Sequence, residues 1–178
     1  MDRPAEPSLT DTLCTRCGLC CDGTLFADVE LAGTEVTRLE ILGARIDSDG
    51  ADGAHMLQPC AALCGTRCSI YAHRPRSCRS FECGLLQRAR SGAVSVDRAL
   101  GDITGALERI GRIRALLAKL GHRDASLPLE ERCAEALASD AGGPRAAGTR
   151  AELEAAMARL RRTIRSRFMA GSTSTGRR

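Results

Sequence analysis

The second half of the chain repeats apolar residues at intervals of three and four. The first such repeat lies between Asp97 and Gly121, and it comprises Leu100, Ile103, Leu107, Ile110, Ile113, Leu117 and Leu120. This spacing places the apolar side chains on one face of an α-helix. Asp97 suits the N-terminal cap of that helix, and Gly121 suits its C-terminal end. The pattern therefore predicts one long amphipathic helix.

Two further helices are predicted downstream. One spans residues 129–138 and is followed by a linker at 140–145. Thr149 and Glu152 have the spacing of a capping box, which predicts that the last helix begins there. The apolar stripe of this helix runs through to Phe168 and comprises Leu153, Met157, Leu160 and Ile164.

The first half of the chain shows much less periodicity. Residues 34–42 carry a short helical pattern that ends at Gly43. Residues 13–27 are predicted to form a loop, in which Gly18 and Gly23 allow the backbone to reverse.

The expected fold class is mainly α, with a small cysteine-rich, loop-dominated module followed by a C-terminal helical hairpin or bundle. The predicted organisation is a disordered tail at 1–12, the cysteine-rich module at 13–90, a helical region at 91–170 and a disordered tail at 171–178.

Composition supports a helical core. Hydrophobic residues make up 43% of the chain, but aromatic residues only 2%, so aliphatic side chains must fill the interior. The net charge of +4 is mild and does not by itself imply a polyanionic partner. Residues 1–13 lack the apolar run of a secretory signal, and no segment has the length and apolarity of a membrane span. The expected location is the cytoplasm.

Ten cysteines dominate the candidate chemistry, and nine of them lie between positions 14 and 83. A first group is Cys14, Cys17, Cys20 and Cys21; a second group is Cys60, Cys64, Cys68, Cys78 and Cys83. In a reducing cytoplasm such thiols bind metal more often than they form disulfides. The two groups supply enough thiolates for two tetrahedral sites, or for an iron–sulfur cluster with thiols to spare.

The two groups together closely resemble a bacterial cysteine-cluster family with the signature Cys-x-x-Cys-x-x-Cys-Cys, described as a "putative zinc- or iron-chelating domain". The resemblance covers about residues 13–86 and extends to the segments Cys68-Ser-Ile-Tyr71, Arg74-Pro75 and Cys78-Arg79-Ser-Phe81-Glu-Cys83. It implies eight metal ligands: Cys14, Cys17, Cys20, Cys21, Cys60, Cys68, Cys78 and Cys83.

Several other residues near the second group have candidate roles. Cys64 departs from the family pattern, and it is interpreted as a spare ligand, a redox thiol or an inert buried thiol. Arg79 could donate hydrogen bonds to a metal-bound sulfur or form a surface salt bridge. Tyr71 is expected to pack beneath the site with its hydroxyl bonded to backbone, and His73 could replace one sulfur. Pro75 is expected to turn the chain toward Cys78.

Three remaining residues have simpler expected roles. Cys133 lies in the helical region and is expected to be a small core residue. His55 and His122 are expected to be exposed to solvent.

The spacing of the cysteines does not identify the metal. Zinc would take two sets of four thiolates, whereas iron would form a cluster, of the four-iron type, on four of them. The resemblance extends to the cysteine signature of flagellin lysine N-methylase, a much longer enzyme with an iron–sulfur assignment. The surplus of thiols and this likeness favour an iron–sulfur cluster.

The favoured function is a metal-binding protein rather than an enzyme, because no phosphate loop, catalytic triad or methyl-donor motif is present. One alternative is a component of a protein-modifying enzyme similar to the lysine N-methylase. Another is a zinc-dependent nucleic-acid-binding module, since residues 144–178 hold nine Arg against two Glu. A solvated helix face explains those arginines better, so nucleic acid is not the expected partner. A protein partner is possible, and no membrane partner is expected.

Overall fold

The computed structural model describes residues 8–48, 53–139 and 141–171. The fold is mainly α, as predicted. The helices are α1 Leu9–Cys17, α2 Val36–Ile41, α3 Arg76–Ser80, α4 Gly84–Arg90, α5 Val96–Lys119, α6 Leu129–Ala138 and α7 Gly143–Thr163. A π-helical segment, Ile164–Met169, continues α7, and 3₁₀ turns occupy Gly33–Glu35 and Tyr71–His73.

Within the described residues of the first half of the chain, five short strands form two small antiparallel sheets. They are β1 Asp28–Leu31, β2 Ile46–Asp47, β3 Ala54–Leu57, β4 Leu63–Cys64 and β5 Arg67–Cys68. The larger sheet has the order β1-β3-β2, and β4 pairs with β5 in a hairpin. Strands of two to four residues are too short to show an alternating pattern, which is why the sequence analysis predicted no strand here.

The buried side chains form two hydrophobic clusters. The larger, which we call the helical core, is built on α5 and includes Ile103, Ile110 and Leu117. The smaller, which we call the sheet core, contains seven buried residues: Val29, Leu31, Leu39, Met56, Cys60, Ala62 and Ile70.

Helices α1 and α4 belong to the helical core, although both carry predicted metal ligands. Leu13 of α1 and Leu85 and Leu86 of α4 are almost completely buried there. The cysteine-rich segment and the helical region therefore share one apolar interior. The domain boundaries proposed from sequence stay a prediction.

Helix α1 begins earlier than the sequence analysis allowed. Ser8 and Asp11 form a capping box, in which the Asp11 N–H donates to Ser8 Oγ at 3.1 Å. Residues 8–12 are thus the cap and first turn of a helix, whereas residues 1–7 of the predicted tail lie outside the described residues. The loop predicted from residue 13 begins instead at Gly18. Of the predicted C-terminal tail, residues 172–178 also lie outside the described part.

The long helices match the apolar repeats, but their caps differ. The N-cap of α5 is Ser95 rather than Asp97, because the Ser95 hydroxyl accepts the Arg98 N–H at 3.2 Å. Helix α6 spans the predicted residues 129–138.

The prediction that the last helix begins with a capping box at Thr149 is wrong. Helix α7 already begins at Gly143, and Thr149 Oγ1 donates to the Arg145 carbonyl within the helix. The first N–H groups of a helix have no partner within the helix, so a proline, which lacks an N–H, is tolerated there. The predicted linker contains Pro144 and can therefore form the first turn of α7.

Candidate metal centre

The first two cysteines lie one helical turn apart at the end of α1. The helix ends at Gly18, whose φ of 72° is readily adopted only by glycine, and the Gly18 N–H donates to the Cys14 carbonyl. Leu19 then enters the core with none of its surface exposed. The Cys21 N–H donates to the Gly18 carbonyl at 2.9 Å. The chain therefore reverses between Cys17 and the Cys20–Cys21 pair, as the glycine predicted.

A backbone hydrogen bond joins the two cysteine groups. The Cys60 N–H donates to the Cys21 carbonyl at 2.8 Å, which brings the segment after β3 against the turn after α1. Cys68 lies in β5, opposite Leu63 of β4. Thr66, at the tip of this hairpin, donates its hydroxyl to the Thr15 carbonyl of α1. The hairpin is thus held against the first helix.

Pro75 turns the chain into α3, as predicted, and Cys78 lies on that helix. The helix is fixed to β1 and to the turn that follows it, because Ser77 Oγ donates to the Glu30 carbonyl at 2.9 Å and the Arg76 N–H donates to Glu35 Oε1 at 2.8 Å. Cys78 is therefore presented from a short helix whose position is set by the sheet.

Cys83 is the N-cap of α4. Its Sγ accepts the Leu86 N–H at 3.5 Å, the kind of bond that stabilises a thiolate at a metal site. The backbone of the next residue, Gly84, lies against the far end of the chain, because a Cβ there would come within 1.9 Å of the Ala170 carbonyl oxygen. Close packing of α4 on the π-helical segment thus fixes Cys83.

All eight cysteines that the family resemblance selects line one cavity of about 540 Å³. Cys64 and Cys133 are not among the residues that line it. Cys64 is exposed on the β4–β5 hairpin, whereas Cys133 is 1% exposed in the helical core, as expected for a small core residue. The structure therefore separates the eight family cysteines from the other two.

The eight cysteines divide between the two hydrophobic clusters. Cys14, Cys17 and Cys83 contact the helical core, and we call them the helix-side set. The sheet-side set is part of the sheet core or packs against it and comprises Cys21, Cys60, Cys68 and Cys78. Cys20 belongs to neither set and lies between Cys17 and Cys21 in sequence, on the turn after Gly18.

The helix-side thiols are held in their neutral form. Burial raises the pKa of Cys14 to about 11 and that of Cys17 to about 12. Burial also raises the pKa of Cys83, although the N–H groups of α4 act in the opposite direction. The three thiols are close enough for the charge of one to disfavour ionisation of another. A bound cation would reverse this balance, because it attracts the thiolate form.

Of the other predicted site residues, Tyr71 and His73 are placed differently from expectation, whereas Arg79 lines the cavity. Tyr71 lines the cavity but is 48% exposed, and the Arg74 guanidinium stacks 3.7 Å from its ring centroid, so it does not pack beneath the site. Arg79 is exposed and lines the cavity. His73 is exposed and hydrogen-bonds Arg38 rather than lining the cavity.

His55 is half-buried, not exposed, because its Nδ1 lies 2.9 Å from Asp28 Oδ1 across the sheet. The sequence analysis missed this pair, since residues 27 positions apart become neighbours only when β1 pairs with β3. His122 is half-buried as well, and its carbonyl accepts a hydrogen bond from Arg132.

The donors around the cavity fit a soft metal in chemistry. Thiolates are preferred ligands of zinc and of iron–sulfur clusters. The cavity wall also includes Gln58, whose buried Oε1 has no hydrogen-bond partner among the described residues and is free to accept one from a bound group. In the described part of the chain, no three or more His, Cys, Asp or Glu side chains are gathered closely enough to hold one metal ion.

A helical protein with eight cysteines around one cavity has the character of a cysteine-rich metal-binding protein. Residues 13–94 match the model of the CxxCxxCC family, described as a "putative zinc- or iron-chelating domain". The match confirms the resemblance noted from the sequence and supports metal binding. No curated protein and no solved structure shows a significant match to the chain. Among the described residues, no helix has the length and apolarity needed to cross a membrane.

Proposed function

We propose that this protein binds iron as a thiolate-held iron–sulfur cluster, with zinc as the alternative occupant of the same cysteines. The observation that carries the proposal is the cavity lined by all eight family cysteines but by neither of the other two. A four-iron cluster is held by four cysteines, and the eight can be divided into two fours. The helix-side set together with Cys20 supplies one group of four ligands, and the sheet-side set supplies the second group of four.

Two closed sets suit a protein that stores, delivers or senses metal, or that transfers electrons. A metal held by four thiolates keeps no position open for a substrate. The protein groups would act around the centre rather than at it. Leu86 donates its N–H to Cys83 Sγ, and Arg79 lies on the cavity wall, where a guanidinium can offset the negative charge of bound sulfur.

Protein purified without air is expected to be brown and to contain iron and acid-labile sulfide. The reason is the surplus of soft ligands, which exceeds what a structural zinc site of this size needs. Iron, zinc and sulfide are measured per chain, and the visible absorbance should bleach on reduction. Reconstitution with iron and sulfide controls for loss of cluster during purification. A colourless protein with about two zinc ions, no sulfide and no cluster after reconstitution would overturn the cluster in favour of zinc.

Metal loading at about pH 9 is expected to release close to one proton from each of Cys14 and Cys17. An unperturbed thiol, with a pKa of roughly 8.5, is already mostly ionised there and would release less than half a proton. Burial raises the pKa of Cys14 to about 11 and that of Cys17 to about 12, so both remain protonated until metal binds. Zinc titrations of the metal-free protein, made by calorimetry in buffers with different ionisation enthalpies, give the proton count.

The comparison variant for this titration is Cys64→Ser, which alters an exposed thiol outside the cavity. Its proton count should equal that of the unmodified protein. A count near zero for Cys14 and Cys17 would mean that these two thiols are ionised before metal arrives, and it would contradict the role of burial.

A further inference from the structure

A second cavity, of about 460 Å³, lies between α5 and the end of α7 and shares no lining residue with the cysteine cavity. Five arginines line it, and we call it the arginine groove: Arg98, Arg109, Arg159, Arg162 and Arg167. Two of them belong to α5 and three to α7 and the π-helical segment. The groove exists only where these helices pack together.

The charge of the arginine groove is strongly positive. Among its described lining residues, Asp102 is the one carboxylate against five guanidinium groups. Asp102 is largely buried and its Oδ1 lies 3.7 Å from Arg98 Nε, so it offsets the charge of one arginine and leaves an excess of positive charge. Gathering like charges in one concave site is unfavourable unless an anion offsets them. Guanidinium groups match the paired oxygens of phosphate and carboxylate.

The shape of the groove suits a small ligand. Its α5 wall contains Gly101 and Gly105, and a Cβ added at Gly101 would meet nothing within 4 Å. The missing side chain of Gly101 leaves space between the arginines of the two helices, whereas at Gly105 the Arg109 guanidinium lies close and donates to the glycine carbonyl at 2.7 Å. The volume lies in the usual range for small-molecule sites. No aromatic side chain lines the groove in the described part of the chain, so it offers no surface on which nucleic-acid bases could stack.

The C-terminal wall of the groove is held in place. Ser166 and Arg167 lie in the π-helical segment. This conformation is rare in proteins overall, but where it occurs it is often at a functional site. Phe168 anchors this segment in the helical core with none of its surface exposed. Arg88 of α4 donates from Nη2 to the Arg167 carbonyl at 2.9 Å. The backbone that carries Arg167 is thus fixed before any ligand binds.

We propose that the arginine groove binds a compact anion that carries two negative charges on phosphate or carboxylate groups. The site is separate from the proposed metal centre and does not depend on which metal is bound there. Its ligand is recognised by the opposed arginines of α5 and α7, in the space that Gly101 leaves open.

The test uses the metal-loaded full chain at low ionic strength, with inorganic phosphate and succinate as the two probes. Amide NMR signals of Gly101, Gly105 and Ser166 should shift saturably with at least one probe. The probe that binds more tightly tells whether phosphate or carboxylate is the preferred chemistry. Metal content is measured before and after each titration, so that any effect on the cysteines is recognised.

Two matched pairs of variants locate the binding. Arg162→Gln should weaken it about tenfold, whereas Arg165→Gln, an equal charge change at an exposed position outside the groove, should alter it less than about twofold. Gly101→Gln fills the groove without changing charge and should also weaken binding about tenfold or more. Gly111→Gln is its control, because Gly111 lies on the same helix with open space around it.

Absence of a saturable shift with both probes would overturn the proposal. Equal weakening by Arg162→Gln and Arg165→Gln would also overturn it, because it would show attraction to the general positive surface. Duplex DNA is a further comparison. If DNA bound more tightly than either probe and both arginine variants weakened it equally, this face would be a non-specific cationic surface.

Discussion

Replacing Cys68 by serine is expected to remove about half of the bound metal, while replacing Cys64 by serine removes none. The two cysteines lie four positions apart on the same β4–β5 hairpin, so the pair is closely matched. Cys68 lines the cavity and packs against the sheet core, whereas Cys64 is exposed and does not line it. Loss of one thiolate from a set of four opens that set, and the other set remains.

Cys17→Ser should have the same effect on the helix-side set. The combined Cys17→Ser and Cys68→Ser variant should then bind almost no metal, and Cys133→Ala should retain the full amount. The measurement is metal and sulfide per chain after anaerobic purification, together with circular dichroism to show that each variant is folded. Loss of metal in Cys64→Ser alone would show that this chain uses a ligand outside the family pattern. Complete loss in either single variant would show one shared centre instead of two sets.

The division of the cysteines into two sets was only partly predictable. Cys20 and Cys21 are adjacent in the sequence, and this spacing alone does not decide whether their thiols bind one metal or two. In the structure, Cys21 packs against the sheet core, to which Cys60 belongs. The Cys60 N–H donates a hydrogen bond to the Cys21 carbonyl. That pairing depends on a contact between residues far apart in sequence, which spacing cannot reveal.

The helical half was predicted well because long amphipathic helices have a strong apolar period. The buried residues of α5 include Ile103, Ile110 and Ile113, all in the predicted stripe. The errors fall where a local signal competed with a longer-range one. The capping-box pattern at Thr149 predicted a helix start there, but α7 begins earlier, at Gly143. Helix α1 was not predicted because it spans only nine residues.

The arginine groove is a surface feature that the sequence also predicted only in part. The sequence revealed the arginines near the end of α7 and suggested a solvated face or a nucleic-acid contact. It did not indicate that Arg98 and Arg109 of α5 lie on the opposite wall. Only the packing of the two helices turns separate charges into one concave site.

Removal of the metal is expected to release the sheet half of the molecule while the helical core remains folded. The sheet core contains only seven buried residues, and the strands around it are two to four residues long. The apolar surface that they bury is small compared with the conformational entropy lost when this part of the chain becomes ordered. Metal binding must therefore supply much of the free energy that orders this part. The helical core is larger and is organised by the 24-residue α5, so it does not depend on the metal in the same way.

Hydrogen exchange before and after chelation tests this difference. Amides of β1 and β3, such as those of Val29 and Met56, should lose protection by about a hundredfold or more, whereas amides of Ile110 and Leu117 in α5 should change by less than about tenfold. Helix α1 should keep intermediate protection, because Leu13 is buried in the helical core although Cys14 and Cys17 lose their metal. The Cys64→Ser protein serves as the control and should respond to chelation like the unmodified one. Unchanged protection of β1 and β3 in chelated protein would show that the sheet half folds without metal. In that case the cavity would be a preformed binding site rather than one completed by its ligand.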